Sequence, residues 1–156
     1  MARIINIGKI QGAIGYVFKS NTLVSEALES TGYARVVSGK GDGHKRLALL
    51  GDAVLGLVQL DRWYQTQQSR GNADLILKKY VTNQRLQECA DQLGITSEIL
   101  VAPEQEHLHL QGGRIGRVTS ASTVEALLGA VWLDSSRDFE QVNRVVCKLG
   151  IVDSDS

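Results

Sequence analysis

Apolar residues recur every three or four positions along most of this chain, which is the spacing of a helix that buries one face. Turns rich in glycine or asparagine separate the apolar stretches. The pattern predicts helices at residues 4–12, 21–28, 45–67, 73–80, 83–93, 122–133 and 139–149, with Asn21 and Asn83 as helix caps. Loops are predicted at 32–43 and 103–117. Because no stretch alternates convincingly with a period of two, the predicted fold class is all-α.

Two of these helices, 45–67 and 122–133, are apolar on nearly every side, which places them in the centre of a helical bundle. With 156 residues and no linker or repeat, residues 1–156 are predicted to form one domain with a flexible tail at 151–156. Cys89 and Cys147 lie in apolar helical patterns and are predicted to be buried thiols. No leader or membrane-spanning pattern is visible, so a soluble intracellular protein is expected.

The net charge is zero, with 17 basic and 17 acidic residues, which excludes nucleic-acid binding through overall charge alone. Contacts with RNA would come from local patches. Three candidate patches are the stretch 40–46, the stretch 114–117 and the pair Lys78 and Lys79. The alternative for each patch is an ordinary solvated surface. The candidate RNA-binding residues are Lys45, Arg46, Lys78, Arg114 and Arg117.

Each central helix carries one acid inside its apolar run, Asp52 in the first and Glu125 in the second. A buried carboxylate must be paired, protonated or bound to a metal, because an isolated charge is costly to bury. Two carboxylates on two central helices are candidate ligands for one divalent cation, and oxygen ligands suit Mg²⁺.

Structural roles remain open for both acids. Ser122 and Glu125 fit a capping box, in which Glu125 bonds back to the Ser122 amide at the start of a helix. Asp52 could instead pair with Arg46 or Arg85, or accept a hydrogen bond from another helix.

Several blocks of the sequence resemble the ribonuclease III family, in the family's order. His44–Leu55 resembles the signature N-E-R-L-E-F-L-G-D-A-V-L. Further matches are Gly15–Phe18, Ser25–Leu28 with Tyr33, Val81–Asn83 with Leu86, Gly112–Arg114, and Val124–Asp134, which resembles F-E-A-L-I-G-A-I-Y-L-D. The resemblance covers roughly residues 5–148, whereas Glu29–Gly32 depart from the family's T-H-S-S.

The resemblance implies the helical bundle of a ribonuclease III endonuclease domain, which dimerises through its signature helix. It also implies cleavage of double-stranded RNA by water activated by Mg²⁺, with Mn²⁺ as a substitute. The family's four metal-site acids fall on Ala48, Asp52, Ser122 and Glu125, and only the second and fourth positions are acidic here. Ser122 could hold a metal through water, whereas Ala48 cannot. The acid that opens the signature falls on Lys45.

Two functions follow from this combination. In the first, Asp52 and Glu125 are catalytic, and the domain is a Mg²⁺-dependent endonuclease of reduced or altered activity that processes double-stranded or structured RNA. In the second, the domain is catalytically silent and acts in RNA binding, in heterodimerisation with an active paralogue, or in ribosome or ribonucleoprotein assembly. Unless the partner is such a paralogue, a homodimer is expected. Trp63 would then lie either at the edge of the dimer interface or in the core. The chain ends soon after its last predicted helix, so no additional RNA-binding module is expected, and affinity should be modest and salt-dependent.

Overall fold

A computed structural model describes residues 4–39, 41–110 and 115–152. Its α-helices are α1 (Ile7–Ile14), α2 (Asn21–Leu28), α3 (Thr31–Tyr33), α4 (Lys45–Thr66), α5 (Arg70–Tyr80), α6 (Asn83–Gln92), α7 (Pro103–Leu110), α8 (Arg117–Asp134) and α9 (Phe139–Lys148). A π-helical segment, Ala34–Ser38, and a 3₁₀ turn, Thr96–Glu98, complete the order. Within the described ranges the extended pairing is limited to an isolated bridge between Glu29 and Leu100, so the all-α prediction is confirmed. None of the described helices is long and apolar enough to cross a membrane.

Helix α8 is the centre of the bundle, as predicted. Nearly all of its residues from Ser120 to Val131 are buried. It packs against α4, α6, α2 and α9, and the largest apolar cluster surrounds it. Such a helix is apolar on all sides because neighbours cover it on all sides.

Helix α4 differs from its prediction, because only one side of it is buried. Leu47, Val54, Leu55 and Val58 lie in the core. The opposite side carries a stripe of small and apolar residues, which we call the α4 stripe: the exposed Leu49, Ala53, Leu57, Leu60 and Tyr64, with the half-buried Gly56 among them. Helix α4 is therefore apolar on every side because one apolar face packs in the core and the opposite apolar face is left uncovered.

Helices α4 and α8 cross with their backbones in contact at Gly51 and Gly129. A methyl group on Gly51 would overlap the Glu125 carbonyl oxygen and lie 2.9 Å from the Gly129 amide nitrogen. A methyl group on Gly129 would overlap the Leu47 carbonyl oxygen. Two glycines thus permit an approach that any other residue would prevent.

Two predicted loops are partly helical. Residues 31–38 form α3 and the π-helical segment, because the Ser30 hydroxyl accepts a hydrogen bond from the Tyr33 amide at 3.2 Å. The stretch 103–117 contains α7, which begins at Pro103, a residue that suits the first helical position. The glycine pair at 112–113 lies outside the described residues.

Four smaller predictions need correction. Ser20 and Thr82, not Asn21 and Asn83, are the residues at the N-caps of α2 and α6. The Thr82 hydroxyl accepts from the Arg85 amide at 3.2 Å, and each asparagine is the first helical residue after its cap. Cys89 is buried as predicted, but Cys147 is exposed. Ile151 is fully buried, so the predicted flexible tail does not begin there; residues 153–156 lie outside the description.

Candidate functional site

The two acids from the central helices meet where α4 and α8 cross. Asp52 follows Gly51, whose backbone lies against the Glu125 carbonyl, so the crossing brings the two carboxyl groups into hydrogen-bond contact. Asp52 is nevertheless exposed, and Glu125 is half-buried. The prediction that the acids converge is correct, whereas the prediction of two buried carboxylates is wrong for Asp52.

The contact between the two carboxyl groups requires a proton on one of them. Burial, the hydrogen bond to Asp52 and the Asp52 charge together raise the pKa of Glu125 to about 8, and the Lys45 charge opposes them. With a pKa near 8, Glu125 is the carboxyl group of this contact that carries a proton at neutral pH.

The capping-box interpretation of Glu125 is wrong. Helix α8 begins at Arg117 with Gly116 as its N-cap, so Ser122 lies inside the helix and cannot cap it. The sequence suggested a later start because the first turn of α8 is polar.

Of the two proposed arginine partners of Asp52, Arg46 is exposed and borders the hollow that contains Glu26, Glu29 and Asp42, and Arg85 is engaged elsewhere. Arg85 donates to the Gly150 carbonyl at 2.7 Å and lies 4.0 Å from Glu88. Asp52 is bonded to Glu125 instead.

Lys45 contacts the position of a missing acid. Its Nζ donates a hydrogen bond of 2.8 Å to the hydroxyl of Ser122, which is itself buried. Ala48 is buried one turn after Lys45 and contributes only a methyl group. Two of the degenerate positions, Lys45 and Ser122, are thus in contact between α4 and α8.

His44, at the N-cap of α4, adds no charge to this cluster. It is buried, and neither ring nitrogen has a hydrogen-bond partner in good geometry. Burial and the adjacent Lys45 charge lower the pKa of His44 to about 4, although the nearby Thr119 backbone opposes this shift. His44 is therefore neutral at physiological pH, and the positive charge here belongs to Lys45.

The residues at this site do not fit a Mg²⁺ or Mn²⁺ ion. Such ions are held by several oxygen ligands, of which carboxylates supply the charge. Here Ala48 offers no donor, the Ser122 hydroxyl is bonded to Lys45, and the Lys45 ammonium repels a dication. Among the described residues, no three His, Cys, Asp or Glu side chains converge as a ligand set.

A second feature is a basic depression of about 520 Å³ between α5, α6 and the start of α8. It brings together the predicted pair Lys78 and Lys79 with the predicted Arg117, and adds Arg85. The lining contains one acid, Glu88. Four cations against one carboxylate leave this depression strongly positive. Arg117 is held toward α6 by a hydrogen bond of 3.4 Å from its Nε to Gln87.

The other predicted RNA-binding residues do not line this depression. Arg46 borders a separate hollow that also contains Glu26, Glu29 and Asp42, which disfavours a phosphate. Lys45 lies at the carboxyl site, and Arg114 and Lys40 lie outside the described residues. Sequence patterns did not assign Arg85 to the basic depression, because its nearness to Arg117 depends on the packing of α6 on α8.

Comparisons with known proteins agree with this architecture. The family described as "Ribonuclease-III-like" matches residues 20–150. The chain is 31% identical over 142 residues to Ribonuclease 3 of Caldanaerobacter subterraneus, covering 90% of this chain and 60% of the relative. It is 35% identical over 129 residues to Ribonuclease 3 of Thermobifida fusca, covering 81% of this chain and 51% of the relative. The matches thus span little more than half of each relative.

The fold also matches the nuclease domain of ribonuclease III from Campylobacter jejuni. That comparison has a TM-score of 0.79 at 25% sequence identity and covers 92% of this chain and 95% of the other. The C. jejuni structure is described as showing structural flexibility in a region involved in dimer formation. Sequence and structure lead to the same conclusion: this chain belongs to the ribonuclease III-like family.

Proposed function

We propose that this protein binds double-stranded RNA as a homodimer and does not cleave it by the metal-dependent route of its family. The observation that carries the proposal is the contrast between two surfaces. The basic depression retains four cations suited to phosphate, whereas the carboxyl site has an ammonium group and only two acids. The protein therefore keeps features for holding RNA and lacks those for holding a catalytic metal.

The basic depression suits the backbone of a nucleic acid. Lysine and arginine neutralise phosphates and release counterions, which supplies affinity even when the net charge of the protein is zero. Double-stranded RNA is recognised mainly through its shape, phosphates and 2′-hydroxyls, so a positive depression without aromatic platforms favours a duplex. Arg117 and Glu125 lie eight residues apart on α8, about 12 Å along its axis, so bound RNA would extend toward the carboxyl site.

The double substitution Lys78→Glu/Arg117→Glu is expected to weaken duplex binding by about 10-fold or more, because it reverses two phosphate contacts. The measurement is a gel shift or fluorescence anisotropy with a labelled duplex at several salt concentrations. The logarithm of wild-type affinity should fall with the logarithm of salt with a slope near −3. Arg35→Glu/Arg137→Glu makes the same change in charge at exposed residues elsewhere and serves as the control. Equal weakening by both pairs would refute the assignment of the depression.

Dimerisation is supported by the α4 stripe. Leu49 and Tyr64 expose 77% and 72% of their surface, and Leu57 exposes 50%. These residues follow helical spacing along one side of a long helix, and Gly56 and Ala53 between them would allow close approach of a second helix. A second copy of this chain presents the same stripe, as a two-fold interface requires.

Trp63 is neither in the core nor free of contacts. It is half-buried, and its indole donates to the Ser69 carbonyl at 2.9 Å, at the turn between α4 and α5. It thus lies at one end of the α4 stripe, next to Tyr64.

Leu57→Glu is expected to convert the dimer to a monomer, because the substitution places a charge at the middle of the α4 stripe. Light scattering coupled to size-exclusion chromatography measures the change in mass. Leu75→Glu, at an exposed leucine of α5, should leave the dimer intact. A wild-type protein that stays monomeric at tens of micromolar would exclude the homodimer and favour pairing with a different chain.

One observation favours endonuclease activity as a second candidate. The surviving acids Asp52 and Glu125 are in contact, so the positions that match the family's acids still form one site. Cleavage of a labelled duplex by the wild-type protein, and its loss in Asp52→Asn, would support this candidate over the first.

A further inference from the structure

Lys45 occupies a position where a helix disfavours positive charge. It is the first residue of α4, and the first turn contains Lys45 and Arg46 but no acid. The exposed amides and the helix dipole make an N-terminus favourable for anions and unfavourable for cations. The unfavourable interaction of Lys45 with the N-terminus of α4 must therefore be offset by residues of another element.

That compensation comes from α8. The Lys45 Nζ lies 2.8 Å from the Ser122 hydroxyl oxygen, and Glu125 follows one turn later on the same face of α8. Glu125 in turn contacts Asp52, which belongs to α4. Two contacts thus join α4 to α8 beside the Gly51–Gly129 crossing, Lys45 with Ser122 and Asp52 with Glu125.

An ammonium group meets the needs of this site better than a dication does. It carries one positive charge and three donors on a flexible stem, and it requires no set of carboxylate ligands. The Ser122 hydroxyl oxygen, 2.8 Å from the Lys45 Nζ, supplies one acceptor for this ammonium group.

We propose that the Lys45 ammonium is the resident cation of this site, taking the place of a divalent metal and joining α4 to α8 through Ser122. This inference deepens the proposed function at the carboxyl site. It is nevertheless tested by the stability and metal response of the protein alone, whereas the proposed function is tested with RNA.

The test compares thermal unfolding in excess EDTA and in increasing MgCl₂. The wild-type midpoint is expected to be the same in both, and calorimetric titration with MgCl₂ should give no binding isotherm. Lys45→Met keeps most of the stem and removes the charge, and should lower the midpoint by about 3 °C relative to the control Lys78→Met. The control removes the same charge from an exposed lysine of α5.

A second variant restores acids at the degenerate positions. Lys45→Glu/Ala48→Glu/Ser122→Asp is expected to have a lower midpoint in EDTA, because five acids then repel one another, and a midpoint that rises saturably with MgCl₂. If this variant does not fold, Lys45→Met decides the question. A saturable rise of the wild-type midpoint with MgCl₂, or a Lys45→Met midpoint equal to that of the control, would overturn the inference.

Discussion

Replacing Gly51 with alanine is expected to lower the free energy of unfolding by about 4 kcal/mol or more, which is a large fraction of the stability of an ordinary domain. The added methyl group would overlap the Glu125 backbone, and neither helix can yield without separating the core that lies on both sides of the crossing. Intrinsic helix propensity alone would favour alanine over glycine by about 1 kcal/mol. A loss of stability in Gly51→Ala would therefore come from the close contact of the two helices and not from helix propensity.

Chemical denaturation followed by circular dichroism measures this loss. Gly12→Ala is the matched control, because Gly12 is helical and exposed and a methyl group there meets no atom within 4 Å. The control should be neutral or slightly stabilising. An unfolding free energy for Gly51→Ala equal to that of Gly12→Ala would show that α4 and α8 do not cross as described.

Asp134→Ala is expected to cost about 3 kcal/mol, because it leaves three buried or half-buried donors unpaired. The Asp134 carboxylate at the end of α8 accepts from the Tyr16 hydroxyl at 2.7 Å and from the Lys19 and Ser20 amides at 2.9 Å each. These bonds fix the connection between α1 and α2 against α8.

This contribution should depend on pH in a defined direction. Burial alone would raise the pKa of Asp134, but the bonds from the Lys19 amide, the Tyr16 hydroxyl and the Ser20 amide outweigh it and hold the pKa below its ordinary value of 3.8. A carboxyl whose pKa is depressed by folding contributes stability above its unfolded pKa and loses it as pH falls through its folded pKa. The difference between wild type and Asp134→Ala should therefore be constant near neutral pH and shrink below about pH 4.

Unfolding curves at several pH values test this, with Asp74→Asn at an exposed site of α5 as the comparison. An Asp134→Ala protein as stable as that comparison at pH 7 would refute the role of the carboxylate.

The sequence could predict the helices that bury a regular apolar face, because that pattern is local. It could not predict that α4 leaves one face uncovered, since Leu49 and Tyr64 are as apolar as the core residues of the same helix. The start of α8 was missed for a related reason: Arg117, Thr119 and Ser120 are polar, and their helical state depends on packing against α6.

The sequence could predict which residues form the candidate site, but not their contacts or their protonation. The resemblance identified Asp52, Glu125, Ala48 and Ser122, and the helical spacing placed each pair on one face. Neither could show that the Lys45 side chain reaches Ser122, because that contact depends on how α4 is positioned across α8. The proton shared by the two carboxyl groups likewise depends on the distance between α4 and α8. The spacing of residues along the sequence does not give that distance.

This domain is proposed to hold duplex RNA without cutting it. The most direct test is incubation of a labelled double-stranded RNA with the wild-type protein in Mg²⁺ and in Mn²⁺, beside Asp52→Asn, on native and denaturing gels. A shifted duplex on the native gel and intact strands on the denaturing gel are expected for both proteins in both metals. Discrete cleavage products from the wild-type protein that Asp52→Asn fails to generate would contradict the proposal.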